Sequence, residues 1–203
     1  MMHPEADQTT ISQRDRIMAA ARFVFLDGPA ELATMDAVAQ RAGMSKKTIY
    51  REFKSQLDLL AALMAETVSD VGEITLPTAR SNIEQELYAL IVRIVTNITS
   101  AHSMALVRLI VSEIRRYPEL MQHQKPGNHP STMIATWLAA PAVQVRYAIE
   151  DPADAGAMLM GMVMQDSGFK LLVSDMGAMP AHLIEKRARR AVTIFLRGVK
   201  KAP

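Results

Sequence analysis

A single glycine separates two short apolar segments near the N-terminus of this 203-residue chain. Before Gly43, apolar residues recur at helical spacing, and after it Ile49 and Phe53 continue the same pattern. Thr34 and Ser45 stand where helix N-caps are expected, and glycine adopts the left-handed backbone that ends a helix at little cost. The pattern predicts two short helices joined by a tight turn.

The spacing in this segment is typical of a DNA-binding helix-turn-helix. Ala39 is small where two helices would approach each other, Gly43 follows four positions later, and Ile49 lies six positions further on. Between positions 41 and 54 there are five basic residues and one acidic residue, whereas the whole chain has a formal net charge of only +2. Because DNA phosphates attract such a local cluster, we predict that the second helix enters a DNA groove.

The composition favours helices along the whole chain. Ala, Leu, Met, Arg and Glu dominate, no segment alternates as a strand would, and 49% of the residues are hydrophobic. We expect an all-α protein of about nine helices, with an N-terminal three-helix helix-turn-helix DNA-binding domain and a C-terminal helical bundle for effector binding and dimerisation. The predicted divisions are a disordered tail at 1–11, the helix-turn-helix domain at 12–56 and a ligand-binding and dimerisation domain at 57–203, with the clearest linker at 72–81.

Glycine and proline mark the predicted helix ends. Gly28 is expected to end the first helix in a left-handed conformation. Asp151 followed by Pro152 predicts an N-cap and first helical residue, and the helix they begin is predicted to run unbroken over 152–173. A last helix is predicted at 180–198.

The helix predicted at 152–173 is apolar on nearly every side. Such a helix must be covered both by its own domain and by something else, and a second copy of the chain is the simplest cover. Gly156, Gly161 and Gly168 would permit close approach of this partner, and the helix at 180–198 would share the interface. Two reading helices related by a twofold axis also suit a palindromic DNA site, so we predict a homodimer.

Many N-terminal residues together form a dense motif, and they carry a resemblance to a known family. They are Ile17, Ala20, Ala21, Phe25, Gly28, Thr34, Val38, Ala39, Ala42, Gly43, Ser45, Thr48, Ile49, Tyr50, Phe53 and Leu57. On these residues, over about a quarter of its length, the chain resembles the TetR family of bacterial transcriptional regulators. The segment 108–113, followed by 117–120, is similar to the effector domain of one branch of that family.

The resemblance implies a set of DNA contacts. Thr34, Thr48, Tyr50 and Lys54 would contact phosphates, and Lys46, Lys47 and Arg51 would lie nearest the base edges, with Ser45 beside them. Two positions depart from the family pattern: Lys47 stands where a glycine is common, and Gln56 stands where a lysine is common. Base preference is therefore not transferable.

The C-terminal region is rich in methionine, with 15 in the whole chain, which is consistent with a plastic core or a ligand cavity. The resemblance favours a small-molecule pocket. The predicted lining residues are Met104, Arg108, Glu113, Met133, Trp137 and Met164. Glu113 shares a helical face with apolar residues, so it is predicted to be a buried acid that meets a ligand or an internal base.

These patterns predict a sequence-specific transcriptional repressor that a small, largely apolar ligand releases from a palindromic operator, although activation and co-repression stay open. The alternatives are a helical ligand-binding or enzymatic protein whose basic helix is merely solvated, and an architectural DNA binder without an effector. The chain has no Cys, its five His lack paired spacing, and no nucleophile motif surrounds any Ser. We predict no enzymatic activity, no metal and no cofactor.

The first ten residues are polar and do not predict a signal peptide. The apolar runs are interrupted well before the ~20 residues that a membrane span needs. The lack of Cys is consistent with a reducing compartment. We expect a cytoplasmic protein that does not enter a membrane.

Overall fold

The structure is a computed structural model, and its described residues form helices. These residues are 12–28, 33–69, 72–123, 129–174 and 178–201. Within them there are eleven α-helices, no strand, and one isolated antiparallel bridge between Tyr147 and Lys200. The predicted all-α class is confirmed.

The chain divides into two compact units, Met1–Leu63 and Met64–Pro203. The division between them lies inside the helix Gln56–Ser69. The boundary expected after position 56 is several residues earlier. The tail predicted at 1–11 lies outside the described residues.

The N-terminal unit is built from short capped helices. They are α1 Gln13–Arg22, α2 Met35–Ala42, α3 Lys46–Glu52 and the start of α4 Gln56–Ser69. Each contributes buried side chains to this unit, among them Ile17, Val38, Ile49 and Leu59. Burying an aliphatic side chain of this size stabilises the folded chain by about 1.5–3 kcal/mol. This small core supports the helix-turn-helix.

The end of the first helix differs from the prediction for Gly28. After α1 the backbone widens into one turn of π-helix, Phe23–Asp27, and Gly28 follows with φ −94° and ψ 170°. This is an extended backbone, so the predicted left-handed conformation is wrong. A Cβ at this position would lie 3.0 Å from the carbonyl oxygen of Val24, so the close approach to the last turn favours glycine here.

The C-terminal unit contains the remaining helices. They are α5 Ile83–Ile98, α6 Ala101–Glu113, α7 Pro130–Leu138, α8 Pro141–Gln144, α9 Pro152–Met164, α10 Ser167–Val173 and α11 Ala181–Gly198. A 3₁₀ turn, Pro118–His123, follows α6. Helix α9 packs against α7 and α11, and α11 also packs against α5. Trp137 and Leu159 are among the residues buried in the resulting core.

The helix predicted at 152–173 is broken in the structure. Its start is as predicted, because Asp151 accepts hydrogen bonds from the backbone N–H groups of Ala153 and Asp154, at 2.8 and 3.1 Å. However, α9 ends at Met164, and Gln165 adopts φ 49° and ψ −128°. This break and the short α8 account for eleven helices rather than the expected nine.

Gly156 is buried against another helix of its own chain. A Cβ there would lie 2.5 Å from the carbonyl oxygen of Ser131 and 3.0 Å from the backbone nitrogen of Ala135. Glycine therefore allows α9 to approach α7, a close approach within the chain that the sequence did not predict. Gly161, in contrast, is exposed with open space around it.

In the ranges that the structure describes, no single helix has the length and apolar character to cross a membrane. The one pair of helices with enough combined apolar length, α5 and α6, is bent by 57° at the break between them.

Candidate nucleic-acid interface

Helix α2 ends at a left-handed glycine. Gly43 has φ 65° and ψ 38°, in agreement with the prediction. The backbone N–H groups of Gly43 and Met44 donate to the carbonyl oxygens of Gln40 and Ala39, at 3.1 and 3.0 Å. These bonds satisfy carbonyls that the end of a helix leaves without partners. The bend between α2 and α3 is therefore built from local hydrogen bonds.

Both helices of the motif begin at hydroxyl caps. Thr34 Oγ1 accepts from the backbone N–H of Ala37, and Ser45 Oγ accepts from that of Thr48, each at 3.2 Å. Each cap satisfies one N–H that its helix leaves unpaired, an interaction that contributes about 1 kcal/mol. The two predicted caps are confirmed.

Helix α3 has one buried and one exposed face. Ile49 and Phe53 point into the N-terminal unit, while Tyr50 has 48% of its surface exposed. Lys47 and Arg51 are one helical turn apart on the face opposite Ile49, and both are exposed. Of the residues predicted to contact DNA, Thr34, Ser45, Lys46, Lys47, Tyr50, Arg51 and Lys54 are exposed, and Thr48 is partly buried. A basic surface is thus available along α3.

The basic side chains of this surface differ in their hydrogen-bond and ion-pair partners. Lys46 forms an exposed ion pair with Asp36 on α2. Arg51 Nη2 donates to Gln13 Oε1 at 2.9 Å. Within the described part of the chain, the side chains of Lys47 and Lys54 form no hydrogen bond or ion pair. The surface therefore combines restrained and free cations.

Other arginines near the motif support its fold. Arg16 Nη2 donates to the carbonyl oxygen of Ala42 at 3.0 Å, beside the turn. The Arg14 guanidinium lies 4.5 Å from the centre of the Phe53 ring. Arg41, which the sequence grouped with the basic cluster, instead lies over the Phe23 ring at 3.8 Å. Such contacts stabilise a cation on an aromatic face.

Two family models match the chain. The model described as bacterial regulatory proteins of the tetR family matches residues 17–63. The model of the C-terminal domain of AefR-like transcriptional repressors matches residues 85–198, which is more than half of the chain. The chain belongs to the TetR family. The predicted resemblance is confirmed, and because the members of this family are regulators and not enzymes, the enzymatic alternative does not apply.

Individual relatives of this TetR-family chain cover it to different extents. The transcriptional activator FasR of Mycolicibacterium smegmatis is 37% identical over 59 residues, which are 29% of this chain and only 27% of FasR. A solved TetR-family regulator from Mesorhizobium loti has a TM-score of 0.77 at 20% identity, over 93% of this chain and 97% of its own. The flavonoid-responsive regulator FrrA has a TM-score of 0.73 at 23% identity, over 94% and 98% of the two chains. The structural likenesses confirm the fold.

The residues predicted to line a ligand pocket lie mostly in the core of the TetR-family C-terminal unit. Met104, Met133 and Trp137 are buried there, and Met164 packs against them partly buried. Arg108 is exposed, and its Nη1 donates to the carbonyl oxygen of Leu171 on α10 at 3.0 Å.

Glu113, the remaining predicted pocket residue, is partly buried at the end of α6. Its Oε2 is buried and has no hydrogen-bond partner among the described residues. A buried carboxylate oxygen without a hydrogen-bond donor is energetically costly.

Two clefts lie on the surface of α11. One, of about 760 Å³, is lined by His182, Glu185, Lys186, Arg189, Arg190, Thr193 and Ile194. The other, of about 420 Å³, is lined by Asn82, Glu84, Gln85, Tyr88, Ala89, Arg189 and Val192. Neither contains a residue that was predicted to bind ligand. Among the described residues, no three His, Asp or Glu are grouped so that they could hold a metal ion.

Sequence patterns did not indicate the contacts of Gln13 and Asp36 with α3. Asp36 is identifiable as an acid in the first turn of α2, but its pairing with Lys46 depends on how the two helices cross. Gln13 lies 38 positions before Arg51, and no local pattern connects two residues at that separation.

Proposed function

We propose that this TetR-family protein is a sequence-specific repressor that binds a palindromic operator as a homodimer and leaves it when a small, largely apolar ligand binds its C-terminal unit. The observation that carries the DNA-binding part is the orientation of α3. Its apolar residues Ile49 and Phe53 are buried, while Lys47 and Arg51 are exposed on the opposite face. Such a helix can enter the major groove without unfolding its own domain.

The proposed DNA contacts follow from exposure and chemistry. We assign phosphate contacts to Thr34, Thr48, Tyr50 and Lys54. We assign positions nearest the base edges to Lys46, Lys47 and Arg51, with Ser45 beside them. The exposure of the cations supports this assignment, because cations on a single helix face can each neutralise a phosphate or approach a base.

The proposed homodimer would form through residues 152–173 and 180–198. Large apolar side chains on these helices are more than half exposed: Met158, Phe169, Val173 and Ile194. Burying each of them against a second copy would stabilise a dimer by about 1.5–3 kcal/mol. A dimer also supplies the second reading helix that a palindromic site requires.

The proposed ligand would bind near the methionine-rich core. Met104, Met133, Trp137 and Met164 contribute mostly apolar surface there, and Arg108 and Glu113 supply polar groups on α6. FrrA, which shares this fold, is named as flavonoid-responsive, and this supports a small organic ligand.

Repression is the direction that the comparisons favour. The C-terminal family model that names repressors covers residues 85–198, whereas the match to the activator FasR covers 59 residues. Such a regulator is expected to act in the cytoplasm, where bacterial DNA lies. In a reporter strain, deletion of this chain should raise expression from its operator, and a fall in expression would contradict repression.

Replacement of Lys46, Lys47 and Tyr50 together by Ala tests DNA binding. An operator is first selected from randomised duplexes with the wild-type chain, and affinity is then measured by fluorescence anisotropy. We expect a loss of about a hundredfold, because several phosphate and base contacts are removed. The matched control replaces Arg115 and Lys200, two exposed cations of the C-terminal unit, by Ala and should retain wild-type affinity. Equal affinity of the triple variant and the wild type would refute the proposal.

The effect of small molecules distinguishes the proposed regulator from an architectural DNA binder that has no effector. A ligand that binds only the folded chain raises the melting temperature, and one that prefers the DNA-free conformation also weakens operator binding. A compound library is screened for both effects. An architectural DNA binder would show neither effect with any compound.

A further inference from the structure

One glutamine outside the helix-turn-helix contacts both its turn and its second helix. Gln13 is the first residue of α1, and its Oε1 accepts a hydrogen bond from Arg51 Nη2 at 2.9 Å. Its Nε2 lies 4.0 Å from Met44 Sδ in the turn. A single side chain therefore connects α1 to the turn and to the exposed face of α3.

The backbone that carries Gln13 is held by a capping box. Ser12 Oγ accepts from the N–H of Asp15 at 3.1 Å, and the Asp15 carboxylate accepts from the N–H of Ser12 at 3.3 Å. These reciprocal bonds satisfy two N–H groups and define where α1 begins. Gln13 follows Ser12 directly and is partly buried, so its amide extends from a backbone that these bonds hold.

The cations of the α3 surface are held in chemically different ways. Lys46 is paired with the carboxylate of Asp36, which offsets its charge. Arg51 is held by the neutral amide of Gln13, which restrains the guanidinium and leaves its charge intact. Arg51 also forms a long ion pair, in which Nε lies 4.0 Å from Oε1 of Glu52. The shortest contact that orients Arg51 is therefore with a neutral group, in contrast to the carboxylate that holds Lys46.

This arrangement suits a directional contact with a base. A guanidinium carries five N–H donors in one plane, and Gln13 uses one of them on Nη2. The Nε–H, both hydrogens of Nη1 and one of Nη2 remain, and a pair of parallel donors on two of these nitrogens matches the O6 and N7 acceptors of guanine in the major groove. Lysine, with a flexible stem and a point charge, is better suited to phosphate. Restraining Arg51 beforehand lowers the entropy lost on binding.

We infer that Gln13 is a positioning residue that orients Arg51 to read a guanine, and that it thereby sets base preference from outside the recognition helix. The inference rests on the proposed function, because Arg51 must face DNA for its orientation to matter. It goes further by assigning a base to Arg51 and a role to a residue of α1.

Selection from randomised duplex DNA tests the inference with the full-length chain. Wild type, Gln13→Leu, Gln13→Glu and Arg51→Ala are each used to select sites. Wild type should select guanine at one position of each half-site, and Arg51→Ala should lose that preference. Gln13→Leu should weaken the preference at the same position and nowhere else, while Gln13→Glu should keep it because an acceptor remains.

Affinity for the wild-type site provides a second readout. Gln13→Leu should bind that site about tenfold more weakly, within the range expected for one base contact. The double variant Gln13→Leu with Arg51→Ala should bind no more weakly than Arg51→Ala alone, because the two residues act through one contact. Gln40→Leu is the matched control, since Gln40 is an exposed glutamine of α2, and it should behave as wild type.

Gln13→Ala is measured in parallel, because it removes the acceptor without adding a branched apolar side chain at the start of α1. The inference is overturned if both variants keep the guanine preference that Arg51→Ala loses, and in that case the proposed function still stands. It is also overturned if the position that depends on Arg51 is not guanine. Retention of the operator by both Arg51→Ala and the Lys46, Lys47 and Tyr50 triple variant would instead contradict the proposed function itself.

Discussion

The helix-turn-helix and the α9–α10 break both turn the chain at a residue with positive φ, but only the first uses glycine. Gly43 has φ 65°, in the left-handed region that glycine adopts freely. Gln165 has φ 49° and ψ −128°, and it is the only non-glycine residue with positive φ in the described ranges. A side chain in such a sparsely populated region costs about 1–3 kcal/mol. The two turns therefore have different origins.

The turn at Gly43 is stabilised locally, whereas the turn at Gln165 is stabilised by a distant residue. Arg187 on α11 donates from Nη1 to the carbonyl oxygen of Met164 at 3.3 Å and to Ser167 Oγ at 2.6 Å. Ser167 is buried, so these bonds satisfy groups that water does not reach. Nearby, a hydrogen bond from Lys170 lowers the pKa of the exposed Asp166 carboxyl. The comparison teaches that tertiary contacts can hold a turn that its own residues disfavour.

Trp137 allows unfolding of the C-terminal unit, which contains the α9–α10 break, to be followed by itself. It is the only tryptophan of the chain, and it is 1% exposed in the core of the C-terminal unit. Its fluorescence therefore reports unfolding of that unit, whereas far-UV circular dichroism reports helices of both units. The variants below use this difference.

The largest effect is expected for Gly156→Ala, which tests a glycine required by packing and not by φ. The added Cβ would meet the Ser131 carbonyl oxygen at 2.5 Å, and backbone atoms cannot move aside as a flexible side chain can. We expect the free energy of unfolding to fall by about 3 kcal/mol, measured by urea titration of Trp137 fluorescence. Gly161→Ala is the control on the same helix, has open space, and should lose no stability. Equal stability of the two variants would contradict the assignment of Gly156 to α7 packing.

Arg187→Met should have the next largest effect, because it removes the contacts that hold the α9–α10 break. Loss of hydrogen bonds from a charged donor to buried groups is expected to lower the free energy of unfolding by about 2–3 kcal/mol. The measurement is again urea titration followed by Trp137 fluorescence. Arg190→Met, at an exposed position of the same helix, should change stability little. If both variants matched wild type, distant contacts would not be holding Gln165.

Gly43→Ala should destabilise the helix-turn-helix by about 1–2 kcal/mol. Its Cβ would lie 3.9 Å from Arg16 Nη2, an ordinary contact, so the cost comes from the positive φ alone. Thermal unfolding by circular dichroism should move to lower temperature, while the Trp137 transition stays in place. Gly43→Asn should lose less, because asparagine tolerates this conformation better. A larger loss for Asn than for Ala would show that φ is not the cause.

Gln165→Gly should have the smallest effect and the opposite sign. It removes a strain of about 1–3 kcal/mol and adds the entropic cost of glycine, about 0.5–1 kcal/mol. We expect the free energy of unfolding to rise by about 1 kcal/mol in urea titrations monitored at Trp137. Gln165→Ala keeps the Cβ and should bring no such gain. A loss of stability in the glycine variant would mean that the glutamine side chain itself stabilises the break.

The features predicted correctly from the sequence depend on neighbouring residues. The caps at Thr34, Ser45 and Asp151 and the left-handed Gly43 each act on backbone groups within four positions. The exposed face of α3 also follows from helical periodicity around Ile49, because side chains one turn apart share a face. Such features can be predicted from the sequence because the interactions that stabilise them join residues close together in the chain.

The amino-acid sequence by itself determined the helical class, the helix-turn-helix and the basic residues of its outer face, since local hydrogen bonding and apolar periodicity are sufficient for these. Only the tertiary structure decided that the helix after Asp151 breaks at Gln165, that Gly156 faces α7, and that Gln13 holds Arg51. Each of these depends on atoms that are 20 or more positions apart, as for Arg187 with Ser167 and Gln13 with Arg51. Contacts at such separations exist only after the helices have packed, so no local pattern encodes them.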